Sequence, residues 1–225
     1  MIRFHRVSLA YPGMKVPALY DLSFEIERGE FVFLVGPSGA GKSSLLALIL
    51  RRLLPSRGEV IVDGANLRRL RGNAIAYYRR KIGMVFQDHR LLPQRTVEEN
   101  LAFVLRVQGV PQVYWPEKIA RALRTVGLVH RRRAFPHQLS VGEAQRVAVA
   151  RALITNPKIL LADEPTGNLD RENALIVLNL FRLAHSRGAT VVFATHAEEL
   201  VSALPARVLM LKEGQLVADR APRRA

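Results

Sequence analysis

An α/β fold, built on a mainly parallel sheet with an antiparallel β edge and a helical insertion, is predicted by three features of the sequence. Phe31-Val32-Phe33-Leu34-Val35 is an aromatic and β-branched run that passes through a glycine-rich turn into a helical pattern, as expected of a strand buried on both faces that feeds a helix. Short apolar runs alternate with helical patterns towards both ends of the chain, which is how parallel strands and their crossovers read. From about Gln87 to Asn156 strands give way to consecutive helical patterns. With 225 residues the chain can bury one full core, with room for an inserted subdomain.

Taken in order, Ile2 to Tyr11 and Ala18 to Glu27 alternate as two strands around the turn Pro12-Gly13 and form the antiparallel edge. The Phe31–Val35 strand leads into a helix over Ser43 to Leu53, with Leu45, Leu46, Leu48, Ile49 and Leu53 on its apolar side. Pro55-Ser56-Arg57-Gly58 reads as a turn, Glu59 to Val62 as a strand stopped by Asp63-Gly64, and Ile82 to Phe86 as a further buried strand. Helical spacing follows at Val97 to Val107, Trp115 to Val126 and Gly142 to Ile154, the last opened by Ser140 as N-cap. Strands resume at Ile159 to Ala162 and Thr190 to Ala194 around a helix over Arg171 to Arg187. Arg207 to Leu211 and Gln215 to Ala218 are the last two strands, hinged at Glu213-Gly214, and the tail with Arg220, Arg223 and Arg224 is expected to be disordered.

The turn after Val35 carries the first chemistry. Gly36-Pro37-Ser38-Gly39-Ala40-Gly41-Lys42-Ser43 fits G-x-x-x-x-G-K-[ST] between a strand and a helix, so its glycines can turn backbone N–H groups around phosphate oxygens at the positive end of the helix dipole. Lys42 then reaches the β- and γ-phosphates and the Ser43 hydroxyl ligates Mg²⁺, with Ser44 adjoining as a further nucleotide contact. An apolar strand ending in an aspartate, here Asp163, holds the Mg²⁺ shell in such sites. Glu164, on a peptide turned by Pro165, stands one residue further out, where a carboxylate polarises an attacking water. Gln87 is a polar residue at the end of a buried strand, the place where α/β sheets carry chemistry, whereas His196 taken alone reads as an ordinary polar residue at a strand end. Tyr11, at the end of the first strand, either stacks on an adenine ring or completes the core.

Six of these elements stand in one order: the cradle, Gln87 after its strand, Leu139-Ser140-Val141-Gly142-Glu143, Asp163-Glu164, Asn168-Leu169-Asp170 and His196. The ordered set resembles the ATP-binding cassette of ABC transporters over essentially the whole chain, with Leu139–Glu143 where that family has its LSGGQ signature. The resemblance implies a P-loop NTPase core of RecA-like type at about 1–87 and 157–225, and a signature-bearing helical insert at about 88–156. It implies a Mg²⁺-dependent ATPase, with ATP and Mg²⁺ as cofactors. Tyr11 would stack on adenine, Gln87 would touch Mg²⁺ and the attacking water, and His196 would hold the γ-phosphate. Ser140 and the Gly142 amide would contact the γ-phosphate of ATP held by the other subunit, and Asp170 would line the dimer seam. Two chains would then close head to tail around two ATP molecules and reopen on hydrolysis.

Val141 departs from the family's glycine. A glycine there would serve either a positive φ or space for the facing subunit. The valine is expected to point back into the helical insert and to leave Ser140 and Gly142 in place.

The run from Asp163 to Asp170 resembles the branch that holds lipoprotein-release, macrolide-export and cell-division ATPases. The cell-division group is favoured by Met1-Ile2-Arg3-Phe4, by Gln87-Asp88-His89-Arg90-Leu91-Leu92 followed by Arg95-Thr96-Val97, and by Phe135-Pro136 before a signature ending in Glu143. That resemblance implies a polytopic membrane partner of the FtsX type, a peripheral position on the cytoplasmic face of the inner (cell) membrane, and ATP-driven control of cell-wall hydrolysis. A transport ATPase of the lipoprotein-release or macrolide-export type, and an ATP-gated scaffold with little turnover, are the alternatives.

The formal net charge of +15 comes mostly from arginine, and reads either as a surface for an acidic partner such as anionic lipid or nucleic acid or as codon bias with a solvated basic face. DNA-acting members of the family need long coiled coils or tandem cassettes, for which this chain has no room, so no nucleic acid is expected. The absence of cysteine excludes disulfides and thiolate-bound zinc. No apolar run approaches the roughly 18 residues that a membrane span needs, and the polar start Met1-Ile2-Arg3-Phe4-His5-Arg6 is no signal peptide. Membrane association is therefore expected through a partner or through surface charge.

Overall fold

The structure, a computed structural model, describes residues 1–222. Its main sheet has six strands in the order β10 (Gln215–Arg220), β9 (Arg207–Lys212), β3 (Phe31–Val35), β8 (Thr190–Thr195), β7 (Ile159–Asp163) and β6 (Ile82–Phe86). The five strands from β9 to β6 run parallel, and β10 is antiparallel to β9. A second, four-stranded sheet takes the order β2 (Leu19–Ile26), β1 (Ile2–Leu9), β4 (Arg57–Val62) and β5 (Ala65–Asn66). The antiparallel pair expected at the start of the chain is therefore the centre and one edge of a sheet of its own, completed by β4.

Alternation along the central strands sorts side chains into two cores. Phe31, Phe33, Leu160, Ala162, Val191 and Phe193 face the helices α3 (Val97–Val107), α4 (Trp115–Thr125), α5 (Val141–Leu153) and α6 (Arg171–Ser186). Val32, Leu34, Ile159, Leu161, Val192 and Ala194 face α1 (Lys42–Ile49) and the four-stranded sheet. Strands covered on both faces have no polar face, which is why they read as unbroken apolar runs. Phe193 meets Phe33 and Phe181 edge-on at 5.7 and 5.0 Å, contacts worth about 0.5–1.5 kcal/mol each beyond their buried area.

Register fixes where the chemistry sits. Phe86 is opposite Asp163, Asp163 opposite Ala194, and Ala194 opposite Leu34. Gln87, Glu164, Thr195 and Val35 thus leave the sheet at one level on its carboxyl edge, the general binding side of an open parallel sheet.

Three local expectations are corrected, and two helices were not foreseen. The first helix stops at Ile49, not Leu53, and Arg51 is left-handed at φ 55°. Its last carbonyls are taken by α2 (Asn73–Arg80): the Tyr78 hydroxyl donates to Ile49 O, and the Arg79 guanidinium donates to Leu50 O at 3.0 Å and Arg51 O at 2.8 Å. The sequence gives little sign of α2 because Tyr78 is its only buried side chain. Arg57 and Gly58, expected in a turn, already pair in β4. Arg220 closes β10 instead of starting a disordered tail, and the expectation for Arg223 and Arg224 lies outside the described residues. The short helix α7 (Glu198–Ser202) also escapes sequence reading, being little more than one turn long.

Candidate active site

The cradle forms because β3 delivers the chain to the carboxyl edge and glycines let it turn back within a few residues. Gly41, at the N-cap of α1, holds φ 103°, and a Cβ there would lie 2.6 Å from Leu19 Cδ2 and 2.8 Å from Ala18 O. Both the angle and the space require glycine. The loop opens onto a cleft of about 840 Å³ lined by Pro37 to Ser44, Phe86, Gln87, Asp88, Arg90, Asp163, Glu164, Asn168 and His196. Gly36 precedes this lining, and its backbone approaches Leu211 so closely that a Cβ would sit 2.2 Å from the Leu211 carbonyl oxygen.

Lys42 is 5% exposed and its ammonium donates to the carbonyls of Gly36 at 2.7 Å and Pro37 at 3.1 Å. It also meets Glu164 Oε1 at 3.1 Å, while Glu164 Oε2 lies 2.7 Å from His196 Nδ1. Glu164 is held in a left-handed conformation at φ 47°, its N–H donating to Ala194 O at 3.0 Å. Such a conformation in a residue with a side chain costs about 1–3 kcal/mol and clusters at functional sites. The strain turns the carboxylate off the strand axis and into the cleft.

Ser43 Oγ donates to Asp163 Oδ1 at 2.9 Å. Burial pushes the Asp163 carboxyl above its usual range, and the Ser43 hydrogen bond pulls the other way. A hydroxyl and a carboxylate side by side beneath a phosphate cradle fit Mg²⁺, which prefers oxygen donors and is bound through one or two carboxylates together with substrate phosphates. Among the described residues no group of three or more His, Cys, Asp and Glu gathers as a metal site, and a nucleotide-borne Mg²⁺ needs none.

Tyr11 is not among the cleft's lining residues. Its hydroxyl shares a 3.0 Å hydrogen bond with Ser44 Oγ on the rim, and its ring packs against the core beneath the four-stranded sheet.

Ser140, Gly142 and Asp170 are also away from the cleft, gathered at a second locus where α5 and α6 begin. Ser140 caps α5 reciprocally with Glu143: Ser140 Oγ accepts from Glu143 N at 3.2 Å, and Ser140 N donates to Glu143 Oε2 at 2.8 Å. The Ser140 N–H, with Arg131 donating to Glu143 Oε1, holds the Glu143 carboxyl below the usual carboxylate range. A Cβ on Gly142 would come within 2.6 Å of Asn173 Oδ1, and Asn173 in turn donates to Asp170 from its backbone and its side-chain amide, both at 2.8 Å. Those two bonds lower the Asp170 carboxyl's pKa.

Val141 corrects an expectation. It lies in the first turn of α5 with ordinary helical backbone, and its side chain is 52% exposed, so it projects outward and not back into the helices. A glycine is not required here for a positive φ. Val141→Gly removes no backbone strain and costs up to about 1 kcal/mol in helix propensity. Turnover is expected to change by less than about tenfold, or 1.4 kcal/mol, in a steady-state ATPase assay of the two chains.

Sequence reasoning gave no role to Arg90 and Asn168, which line the cleft, or to Gly167, where a Cβ would lie 2.8 Å from Gln87 Nε2. The glycine lets the Gln87 amide sit against the turn that carries Glu164. Its signal in the sequence was only its place between Glu164 and Asn168.

Residues 19–167 match the sequence profile of the ABC transporter family. The chain belongs to that family. It is an ABC ATPase. The chain is 43% identical to the cell division ATP-binding protein FtsE of Bacillus subtilis over 97% of its length and 96% of the relative's. It is 45% identical to the protein of that name from Escherichia coli K12, over 96% of this chain and 97% of that one. The fold matches the dimeric structure of MJ0796, a bacterial ABC transporter cassette, with a TM-score of 0.91 at 34% identity, all of both chains being covered. A post-hydrolysis dimer of MJ0796 bound to ADP and Pi matches with a TM-score of 0.89, also at 34% identity and full coverage of both. No helix among the described residues is long and apolar enough to cross a membrane.

Proposed function

We propose that this chain is the ATP-hydrolysing subunit of a membrane complex of bacterial cell division. In this reading it closes as an ATP-sandwich homodimer on the cytoplasmic face of the inner (cell) membrane and drives a polytopic FtsX-type partner that controls cell-wall hydrolases. The observation that carries the dimer is the separation of two loci in one chain: the cleft holds Lys42, Asp163, Glu164, Gln87 and His196, whereas Ser140 and Gly142 lie outside it. The dimeric MJ0796 cassettes and the full-length likeness to FtsE support the assembly and the cell-division role. The helical segment at about 88–156 acts as a lobe that carries the second locus against a core at about 1–87 and 157–225.

Lys42 pairs with Glu164 at 3.1 Å. Phosphate oxygens entering the cradle compete for the ammonium, and the carboxylate they release becomes a better acceptor for a water proton. His196, already on the other oxygen of Glu164, would orient it and hold the γ-phosphate. Ser43 Oγ, Asp163 and the Gln87 amide would hold Mg²⁺, which spreads the phosphate charge. Tyr11 sits at the rim beside Ser44, on the side from which adenine would be covered. ATP bridges both loci only when two chains close, so it has the differential affinity that drives closure.

Anionic lipid is a second contact. The Arg51, Arg68, Arg71 and Arg79 guanidiniums are pinned to the carbonyls of Leu67, Pro55, Arg68 and Leu50 respectively, and none of the four pairs with a carboxylate among the described residues. Arg51 has its pKa lowered by burial and then by the charges of Arg71 and Arg79, the mark of like charges held together. Co-purification from membranes with mass identification is expected to return a polytopic FtsX-type protein; a lipoprotein-release or macrolide-export subunit would redirect the function. The isolated chain is expected to bind phosphatidylglycerol vesicles at low salt, at about 1 kcal/mol per arginine close to the surface. High salt should release it. Firm binding to partner-free vesicles at high salt would make lipid, not the partner, the anchor.

A further inference from the structure

The helix that begins at Ser140 ends under the loop that carries Gln87. Arg151, in the last turn of α5, donates from one guanidinium nitrogen to His89 O at 2.7 Å and from the other to Arg90 O. His89 and Arg90 are consecutive left-handed residues, at φ 54° and 50°. Two turns earlier on the same helix, Gln145 is 1% exposed and donates to Phe86 O at 3.2 Å, while its own Oε1 has no donor. One helix therefore grips the backbone on both sides of Gln87. Within the loop, Arg90 stacks on the Phe86 ring at 3.8 Å and pairs with Asp88 at 3.0 Å, which ties its residues to one another. A strained segment held by side-chain bonds from another element is suited to two discrete arrangements, not to continuous bending.

We infer that Arg151 is a positioning residue: through the rigid length of α5 it couples engagement of ATP at Ser140 to the placement of Gln87 in the same chain. This inference rests on the ATP-sandwich dimer proposed above. In such a dimer the signature of a chain meets its partner's nucleotide, whereas Gln87 serves the chain's own. The Arg151 grip then links the two ATP sites without any contact between Arg151 and nucleotide. A guanidinium suits this because two nitrogens of its planar, pre-organised fork each take one of the two carbonyls.

The test compares the parent chain with Arg151→Gln and Arg151→Lys, each alone and combined with Glu164→Gln. ATP affinity, kcat, ATP-driven dimer fraction and hydrogen exchange over residues 86–92 are measured. Arg151→Gln is expected to bind ATP as the parent does, yet to lose about tenfold or more in kcat together with cooperativity in ATP. In the Glu164→Gln background it should still dimerise with ATP, but residues 86–92 should fail to gain the protection that closure gives the Glu164→Gln chain. Arg151→Lys, which keeps the charge but not the planar fork, should fall between the two. If Arg151→Gln does not fold, the same readouts on Arg151→Lys decide. A kcat within about threefold of the parent, or full protection of 86–92 on closure, overturns the inference and leaves the dimer standing. Failure of the Glu164→Gln chain itself to dimerise with ATP overturns both.

Discussion

Glu164→Gln is expected to bind ATP at least as tightly as the parent, to hold a closed dimer, and to lose about 10²–10⁴ in turnover, the usual contribution of a general base. The amide has the shape of the carboxylate, so the left-handed backbone at this residue and the contact of Gln87 with Gly167 are undisturbed. What changes is charge and basicity. The amide cannot take a proton from water, and the 3.1 Å ion pair with Lys42 disappears, which frees the ammonium for phosphate. Lys42→Ala separates the two effects: it leaves Glu164 with His196 alone and removes the charge that meets the phosphates, so ATP binding falls with turnover. Equilibrium binding of labelled ATP, sizing of the complex and single-turnover hydrolysis decide between them. Hydrolysis by Glu164→Gln within about threefold of the parental rate would remove Glu164 as the base.

Where an element's position was set by neighbours along the chain, the sequence was sufficient. Val35 runs into the glycine cradle, Ala162 into Asp163-Glu164, and Ser140 stands three residues before Glu143. Each is a local pattern with a local cause, and the structure has the strands and the cap at those places. Features made by residues distant in sequence were not legible. The shortened α1 depends on Tyr78 and Arg79 reaching its last carbonyls from α2. The outward turn of Val141 depends on Gly142, not Val141, packing against Asn173 of another helix. The Arg151 grip joins residues about 60 positions apart, a span in which periodicity carries no signal. Tyr11 marks the boundary: its ring was read as either an adenine platform or core, and its side chain makes a rim hydrogen bond with Ser44 while packing on the core.

Ser140→Arg is expected to abolish ATP-driven dimerisation and to lower turnover by about 10²–10³, the loss typical of removing a donor from a developing phosphate charge. Ser140 does not line the cleft of its own chain, so the chain should keep its affinity for ATP. The bond from Glu143 N to the Ser140 hydroxyl is lost, whereas the backbone N–H of residue 140 can still donate to Glu143 Oε2, and a missing N-cap costs about 1 kcal/mol. Arg131 still holds Glu143 Oε1 at 2.8 Å, which keeps that damage local. The decisive measurement mixes two inactive chains. Ser140→Arg has an intact cleft and a blocked signature, whereas Lys42→Ala has a crippled cleft and an intact signature. In a head-to-tail dimer of one chain of each kind, the good cleft faces the good signature and one complete site forms. Mixing the two should therefore restore hydrolysis that neither shows alone, in proportion to the mixed dimer. If the mixture stays inactive while the two chains are shown to pair, Ser140 does not serve its partner's nucleotide and the composite site is wrong.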